Sequence, residues 1–402
     1  MSISLQTRTA SAAPVHPAVE AGSRRVARAR LASIDALRGV ILLAMLVDHV
    51  RETFFLHHEV ADPVDYHTPL GLYLTRMITE PCAPLFVFLT GLSAWLYSQS
   101  HGLRDTSTFL LKRGLFLIVL EVTLVDFAWS GEFPARSLDL QVIWCIGVSM
   151  VILAGLLRVP RPVLWLLGIA IIAGHNLLDG LAIDHQSALY LPWAMLHERA
   201  SFEFAHFPAI FTSYPLLPWF GVIILGYAAG PLYDARVEAR QRISILLRGA
   251  TLLFVAFVAL RYLNGYGEKP WVRTGDLIET LKSFKSATKY PPSLLYLLPS
   301  LAFGLATLAW LEKYQDSRAV RVMAIYGGAP MFFYLLHLYT LKLIYLAVLH
   351  TLGPNMGRYY GFDTLSGIWL CSAVLSIALF FPTAWFARLK QRRRDMAWLR
   401  YF

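Results

Sequence analysis

Long apolar runs recur along most of this chain, and they constrain its fold more than any other feature. A helix of about 20 apolar residues crosses the ~30 Å hydrocarbon core of a bilayer. Only 15% of the 402 residues are charged, whereas soluble domains carry about 25%, so a large soluble enzyme is excluded. We predict an all-α fold, a polytopic helical membrane bundle of about ten transmembrane helices, at residues 34–54, 81–100, 109–128, 140–157, 162–178, 212–232, 244–263, 292–311, 326–349 and 365–387.

The net charge of +10 comes from basic residues that cluster at the ends of these runs. Loops rich in Lys and Arg stay in the cytoplasm, so their alternation predicts a multi-pass protein of the plasma (inner) membrane with both termini cytoplasmic. Residues 1–32 are predicted to be a disordered basic arm, 33–387 the transmembrane domain and 388–402 a basic tail. This clustering predicts membrane lipids as partners and no nucleic acid. The basic exterior loop 264–291 is the exception, and it lies on lipid head groups or binds an anion.

The first apolar segment, residues 33–55, carries ionisable groups that are costly within a membrane and therefore indicate function. Successive helical residues rotate by about 100°, so Asp35, Arg38, Met45 and His49 lie on one stripe. With a rise of ~1.5 Å per residue, Arg38 and His49 are separated by ~16 Å along it. One end of the helix therefore presents a cation and the other a base.

A histidine beside a carboxylate is the usual arrangement of a general base. Adjacent helical residues diverge, so Asp48 is a poor partner for His49, whereas Glu52 lies on the same face and Arg51 can reach back to Asp48. The structural alternative is a hydrogen-bonded polar knot that locks neighbouring helices. We favour a catalytic role for this group.

Polar residues in other predicted spans, among them Glu121, Asp126 and His337, indicate a polar cavity inside the bundle. No metal or prosthetic group is predicted. The histidines and acids of the exterior loop 55–80 match no ligand spacing, and Cys82, Cys145 and Cys371 are too far apart for a metal motif or a disulfide framework. Any catalysis would occur within the bundle and its exterior loops.

Several separated motifs, in order, resemble one bacterial membrane family, the heparan-α-glucosaminide N-acetyltransferase-like proteins of a transmembrane acyltransferase superfamily. They are SIDALRGVILLAMLVDHVRETFF (33–55), TRMITEPCAPLFVFLTGLSA (75–94), HNLLDG (175–180), YPLLPWFGVIILGYAAGPL (214–232), TKYPPSLLYLL (288–298) and APMFFYLLHLY (329–339). The resemblance extends from about residue 31 to residue 350. It implies that residues 33–387 form a transmembrane acyltransferase-like domain.

The resemblance implies an acetyl-CoA-dependent membrane acetyltransferase, in which cytoplasmic acetyl-CoA is the co-substrate. The acetyl group would pass to an amine or hydroxyl of a sugar-type acceptor on the outer side. The catalytic histidine of the lysosomal relative falls near Glu59 here, so the base is His49 or His58, and we prefer His49. The acetyl group would pass directly to the acceptor or through an acetyl-histidine intermediate. A homo-oligomer is also compatible with the resemblance.

The residues predicted to carry this reaction fall into three groups. Those predicted to be catalytic are His49, Asp48, His58 and Glu52. Those predicted to bind acetyl-CoA are Asp35, Arg38 and Arg113. Those predicted to bind the acceptor are Arg76, Glu80, Lys289, Tyr290 and His337.

Two other classes of function remain open from the residues alone. A small-molecule transporter would also have about ten spans and buried charges, although the chain has no paired broken helices in matching halves. A non-catalytic membrane scaffold would bind no acetyl-CoA and would tolerate loss of Asp48 and His49.

Overall fold

The computed structural model describes residues 17–393 and 395–402, and it describes side chains from Ala32 onward except at 394, 397 and 400. The described chain is predominantly helical. Its helices are α1 (Pro17–Phe54), α2 (Leu70–Thr79), α3 (Cys82–Leu120), α4 (Asp126–Ser130), α5 (Val142–Leu156), α6 (Arg161–Gly174), α7 (Tyr190–His197), α8 (Leu217–Ala228), α9 (Ala239–Leu263), α10 (Leu277–Lys285), α11 (Leu294–Lys313), α12 (Arg318–Gly327), α13 (Pro330–Leu352) and α14 (Leu365–Arg392).

Helix α1 lies at the centre of the bundle. It packs against α2, α3, α11, α12, α13 and α14, and its apolar residues between Ile34 and Phe54 belong to the main core. The backbone is helical from Pro17, within the stretch predicted to be a disordered arm, which agrees with the high helix propensity of its Ala and Arg residues. Residues 1–16 of that arm lie outside the described residues.

Five described helical segments are long and apolar enough to cross a membrane, and they establish a membrane protein. They are Arg161–Leu178, Ala239–Leu263, Leu294–Lys313, Pro330–Leu352 and Leu365–Arg392, with two shorter apolar segments at Val142–Leu156 and Leu217–Tyr233. The predicted count of about ten spans is not confirmed. Predicted spans 81–100 and 109–128 form one element, α3, with a kink at Gly102. The predicted span 326–349 begins in α12, and a new helix starts at Pro330.

Two glycines allow α1 and α12 to approach backbone to backbone. A Cβ on Gly39 would overlap the carbonyl oxygen of Met323, and one on Gly327 would overlap the carbonyl oxygen of Asp35. Small residues at such crossings are typical of membrane helices, where close van der Waals packing drives association. The contact fixes the end of α1 that carries Asp35 and Arg38.

A small sheet departs from the purely α-helical prediction. Strand β3 (Ala209–Phe211) pairs in parallel with β1 (Ser137–Asp139) and antiparallel with β2 (Ser201–Phe202). These strands connect helices, where too few apolar residues follow one another to give a span. The sheet joins the α4–α5 connection to the α7–α8 connection, and Asp139 thereby reaches the candidate site.

The basic loop 264–291 folds onto the bundle through helix α10. Lys282 donates to the carbonyl oxygen of Thr68 at 2.8 Å, and Lys285 pairs with Glu80 at 2.9 Å. Leu277, Ile278 and Leu281 of the same helix are exposed.

The predicted basic tail also packs on the bundle, because α14 continues to Arg392 and a short 3₁₀ helix follows at Ala397–Tyr401. Leu399 is buried, and the ring of Phe402 lies 5.5 Å from that of Phe116. Lys390 donates to the carbonyl oxygen of Phe402 at 2.9 Å. This segment therefore packs against α3 and α14.

Candidate active site

Two histidines from distant parts of the chain form a hydrogen-bonded pair inside the bundle. His49 Nδ1 lies 2.7 Å from His337 Nε2, and the two rings are stacked with centroids 4.9 Å apart. His337 is fully buried, and its Nδ1 lies 2.8 Å from the carbonyl oxygen of Phe333. The pair joins α1 to α13, whose residues are separated by 288 positions in sequence.

The hydrogen-bond chain fixes where the protons lie. A carbonyl oxygen can only accept, so His337 Nδ1 carries a hydrogen and donates to Phe333. With both imidazoles neutral, His337 Nε2 must accept, and His49 Nδ1 must be the donor. The Nε2 atom of His49 then keeps its lone pair, which is the form that a general base requires.

Aromatic rings on two sides of His49 connect it to two different cavities. The ring of Tyr334 lies 6.0 Å from the His49 ring and that of Trp129 lies 5.1 Å from it, both edge-on. Tyr334 lines a cavity that extends to Arg38. Trp129 lines a second cavity that contains Glu52. Neither His49 nor His337 lines these cavities, so the pair is adjacent to each space through an aromatic ring. His337 was predicted to bind the acceptor, whereas in the structure it contacts His49.

The first space, here called the Arg38 cavity, has a volume of about 530 Å³. One end is basic, because Arg38, Arg113 and Lys390 line it with only one acidic residue, Asp35. Arg38 donates to Asp35 at 2.5 Å and also to the hydroxyl of Ser93. The Nε atom of Arg113 is buried without a protein partner among the described residues.

The rest of the Arg38 cavity is mostly apolar and extends along α1 from Arg38 to Met45. Its wall comes from α1, α3, α5 and α13, and consists mainly of Leu42, Met45, Phe86, Leu117, Val142, Ile143, Ile146, Met150, Met331 and Tyr334. A charged mouth followed by an apolar channel suits a ligand with an anionic head and a long uncharged arm.

The opposite space, here called the Glu52 pockets, consists of two neighbouring cavities of about 280 and 550 Å³. Both are lined by Glu52, Leu56, Arg199 and Tyr290. The other residues that line the smaller pocket are mostly charged. The larger adds Asp139, Gln141, Ser213, Tyr214 and Lys342, together with the rings of Trp129, Tyr345 and Tyr359.

Two carboxyl groups in the loops around the Glu52 pockets have shifted pKa values. Burial raises the pKa of Asp139, although Ser213 and Gln141 donate hydrogen bonds to it. Burial also raises the pKa of Asp62, which accepts hydrogen bonds from the backbone N–H groups of Lys289 and Tyr290. Asp62 thereby positions the loop that carries Tyr290.

Asp48 forms an ion network that does not include His49. Arg51 lies 2.9 Å from one carboxylate oxygen of Asp48 and Arg76 lies 2.9 Å from the other, and all three side chains are buried. The predicted contact of Arg51 with Asp48 is confirmed. Glu52 accepts from Arg51 at 3.1 Å. Among the described residues, neither Asp48 nor Glu52 forms a hydrogen bond with His49, so the partner that orients His49 is His337 and not a carboxylate.

The other predicted site residues are divided between the two ends of the site and the loops. His58, Arg76 and Tyr290 line the smaller Glu52 pocket. Glu80 is buried, pairs with Lys285 and lines none of the three cavities described above. Lys289 is also buried outside those cavities, with its ammonium 4.9 Å from the centre of the Tyr290 ring.

Several residues of the site were missed by sequence reasoning. Lys390 counted only as part of a basic tail, and Trp129 and Arg199 carried no motif. Arg199 lies over the Tyr290 ring at 5.0 Å, and the Tyr290 hydroxyl is 3.2 Å from that of Tyr214. Aromatic residues recur beside prolines at 214–219 and 290–292, but in a membrane protein such residues are typical of interfacial anchors, so this pattern does not indicate a site.

The family comparison covers the α1 part of this site. The model of the family described as heparan-alpha-glucosaminide N-acetyltransferase, catalytic, matches residues 30–266. That range contains Arg38, His49 and Arg113 but neither His337 nor Lys390. No curated protein matches the chain. Because the match covers more than half of the sequence, the chain belongs to the heparan-alpha-glucosaminide N-acetyltransferase catalytic-domain family of membrane transferases.

Proposed function

We propose that this protein moves an acetyl group from acetyl-CoA in the cytoplasm to an amine or hydroxyl of a sugar-type acceptor on the outer side of the plasma membrane. The observation that carries the proposal is that the His49 ring contacts Tyr334, which lines a basic cavity, and Trp129, which lines a polar one. About ten spans with both termini cytoplasmic would place the Arg38 cavity on the donor side.

The Arg38 cavity has the chemistry that acetyl-CoA requires. Phosphate groups bind where several Arg and Lys side chains converge, and Arg38, Arg113 and Lys390 converge at its mouth. The pantetheine arm carries no charge and would follow the apolar wall towards Tyr334. The ~16 Å between Arg38 and His49 along α1 is the path that this arm has to span.

His49 would act as the general base in direct transfer. Its Nε2 takes the proton of the acceptor amine or hydroxyl while the acceptor attacks the thioester carbonyl of acetyl-CoA. When the C–S bond breaks, the imidazolium returns the proton to the CoA thiolate, so the histidine ends neutral. His337 accepts from His49 Nδ1 throughout and stabilises the charge that develops on the ring.

The Glu52 pockets have the chemistry of an acceptor site. Carboxylates and tyrosine hydroxyls accept hydrogen bonds, while Arg199, Gln141 and Lys342 donate them. Sugar hydroxyls need both kinds of partner, and the ring faces of aromatic residues suit the apolar face of a sugar. A volume of about 550 Å³ lies within the usual range of ligand pockets, ~300–1,000 Å³.

The test is acetyl transfer across a sealed membrane. Proteoliposomes would receive labelled acetyl-CoA on one side and glucosamine, as the acceptor probe, on the other. We expect labelled N-acetylglucosamine on the acceptor side, with one CoA thiol released per product. Movement of glucosamine without CoA release would make the protein a transporter, and neither reaction would favour a scaffold.

Variants of the basic mouth test the donor half separately. Hydrogen bonds to charged groups contribute about 1.5–3 kcal/mol, so Arg38→Ala and Lys390→Ala should each raise KM for acetyl-CoA about 10- to 100-fold with little change in KM for glucosamine. Arg388→Ala is the matched control, because Arg388 is on the same helix as Lys390 but is exposed and outside the cavity. An equal effect of all three variants would refute the assignment of the donor end.

A further inference from the structure

A second histidine pair lies outside the proposed reaction site, at the end of α6. His175, Asp179 and His197 each offer one ligand atom, and these three atoms lie within 4.8 Å of one another. His197 Nε2 is 3.0 Å from a carboxylate oxygen of Asp179, and the rings of His175 and His197 have centroids 6.0 Å apart. No other such group of three occurs in the described part of the chain.

The polar atoms of this pair are not satisfied by the protein. His175 and His197 are both buried, yet both ring nitrogens of His175 and the Nδ1 atom of His197 have no hydrogen-bond partner among the described residues. Burying a polar atom without a partner costs roughly 1–3 kcal/mol, so a bound group that takes one lone pair from each imidazole would stabilise the site.

The geometry points to a zinc site: we propose that His175, His197 and Asp179 bind one Zn²⁺. Two imidazoles and a carboxylate are a common zinc ligand set, with a fourth position left for water. Tetrahedral ligands at ~2.0–2.1 Å from zinc stand ~3.3 Å apart, which small side-chain movements can reach from the present distances. About half of the Asp179 side chain is exposed, so an ion can enter from that side.

Neighbouring hydrogen bonds hold the ligands in place. The Asn176 side chain donates to the second carboxylate oxygen of Asp179 at 2.9 Å, and its amide oxygen Oδ1 accepts from the backbone N–H of Leu294 at 2.9 Å. Such second contacts orient ligands in metal sites and sustain their affinity. They also connect the cluster to the start of α11, so the bound ion would join α6, α7 and α11.

The proposed ion would also support the Glu52 pockets. His197 ends α7, and Arg199, two residues later, lines both pockets. Fixing His197 therefore limits the movement of the segment that carries Arg199. The role is structural and does not depend on the proposed acetyl transfer, although sequence reasoning predicted no metal in this chain.

The test measures metal directly. Full-length protein without a polyhistidine tag would be exposed to Zn²⁺, freed of excess metal and analysed by mass spectrometry for zinc per chain. We expect about one zinc per chain for the wild type and less than a tenth of that for His175→Ala and His197→Ala. Adding Zn²⁺ to chelator-treated wild type should raise its melting temperature, and it should leave that of the two variants unchanged.

Two further variants distinguish the loss of a zinc ligand from misfolding. Asp179→Ala alters the half-exposed ligand and should weaken zinc binding at least tenfold while the helices stay intact. His206→Ala removes an exposed histidine outside the cluster and should retain the full metal content. The proposal is overturned if wild type takes up no zinc, or if folded Asp179→Ala binds zinc as tightly as His206→Ala.

Discussion

The two buried histidine pairs differ in how their ring nitrogens are used. In the His49–His337 pair, a hydrogen-bond chain ends on a backbone carbonyl, and one nitrogen of His49 has no hydrogen-bond partner in the described part of the chain. In the His175–His197 pair, three nitrogens have no partner among the described residues, and a carboxylate lies against the fourth. An ordered chain with one available lone pair suits proton transfer, whereas one lone pair from each of two imidazoles beside a carboxylate suits a cation. In the two proposals the same residue type would therefore have two different roles, because its partners differ.

The largest expected difference between the two regions is in how much Asp48 and Asp179 contribute to the free energy of unfolding. Asp48 is buried between Arg51 and Arg76, and removing one member of a buried ion network costs about 3–5 kcal/mol. Asp179 is half exposed, so its pairing with His197 is worth about 1 kcal/mol or less. We expect Asp48→Ala to lower the free energy of unfolding by the larger amount and Asp179→Ala, in chelator, by the smaller. Urea titration in detergent micelles measures both, and equal losses would refute the contrast.

His337 should affect the reaction without affecting the metal. Its loss frees the His49 ring to rotate and to change tautomer, and misplacement of a catalytic group costs up to about 100-fold. His337→Ala should therefore lower kcat about 10- to 100-fold with zinc content unchanged. His337→Gln should recover much of the loss, because the amide can accept from His49 and donate to Phe333. Equal activities of the Ala and Gln variants would show that the hydrogen-bond chain is irrelevant.

The smallest expected effect concerns Asp139, which lines the larger Glu52 pocket with Trp129. Burial raises its pKa above the ordinary 3.8, so the folded state holds the proton more tightly than the unfolded chain. Stability from this group therefore falls as pH rises from 3.8 through the raised pKa and is lowest above it. We therefore expect the melting temperature of the wild type to rise relative to that of Asp139→Asn as the buffer is acidified. A difference that moves the opposite way would contradict the burial of this carboxyl.

Local patterns in the sequence were enough to predict most of the helices and the pairs within one helix. Apolar runs located most of the long helices to within about five residues, although α1 begins as early as Pro17 and α3 joins two predicted spans. Helical spacing placed Asp35 and Arg38 on one face and predicted the Asp48–Arg51 contact, and the structure contains both pairs. Both contacts join residues three positions apart, so the rotation of a single helix determines them.

Long-range contacts could not be predicted in the same way. His49 and His337 lie on different helices, and so do Arg38 and Lys390, which lie at the same cavity mouth. Their proximity depends on how α13 and α14 pack on α1, which helical periodicity does not encode. The proposed zinc ligands come from the segment after α6 and from the end of α7, and they were missed for the same reason, since spacing rules detect only ligand sets that are close in sequence.

The central claim is that His49, and not His58, is the base adjacent to the two cavities. The most direct test compares kcat for acetyl transfer to glucosamine by His49→Ala and His58→Ala in matched proteoliposomes, with acetyl-CoA binding measured on each variant. General base catalysis contributes about 10²–10⁴-fold, so His49→Ala should lose that much activity while still binding acetyl-CoA. His58→Ala should stay within about threefold of wild type, since His58 lines only the smaller Glu52 pocket. Full activity of a well-folded His49→Ala variant, or the larger loss at His58, would contradict the account.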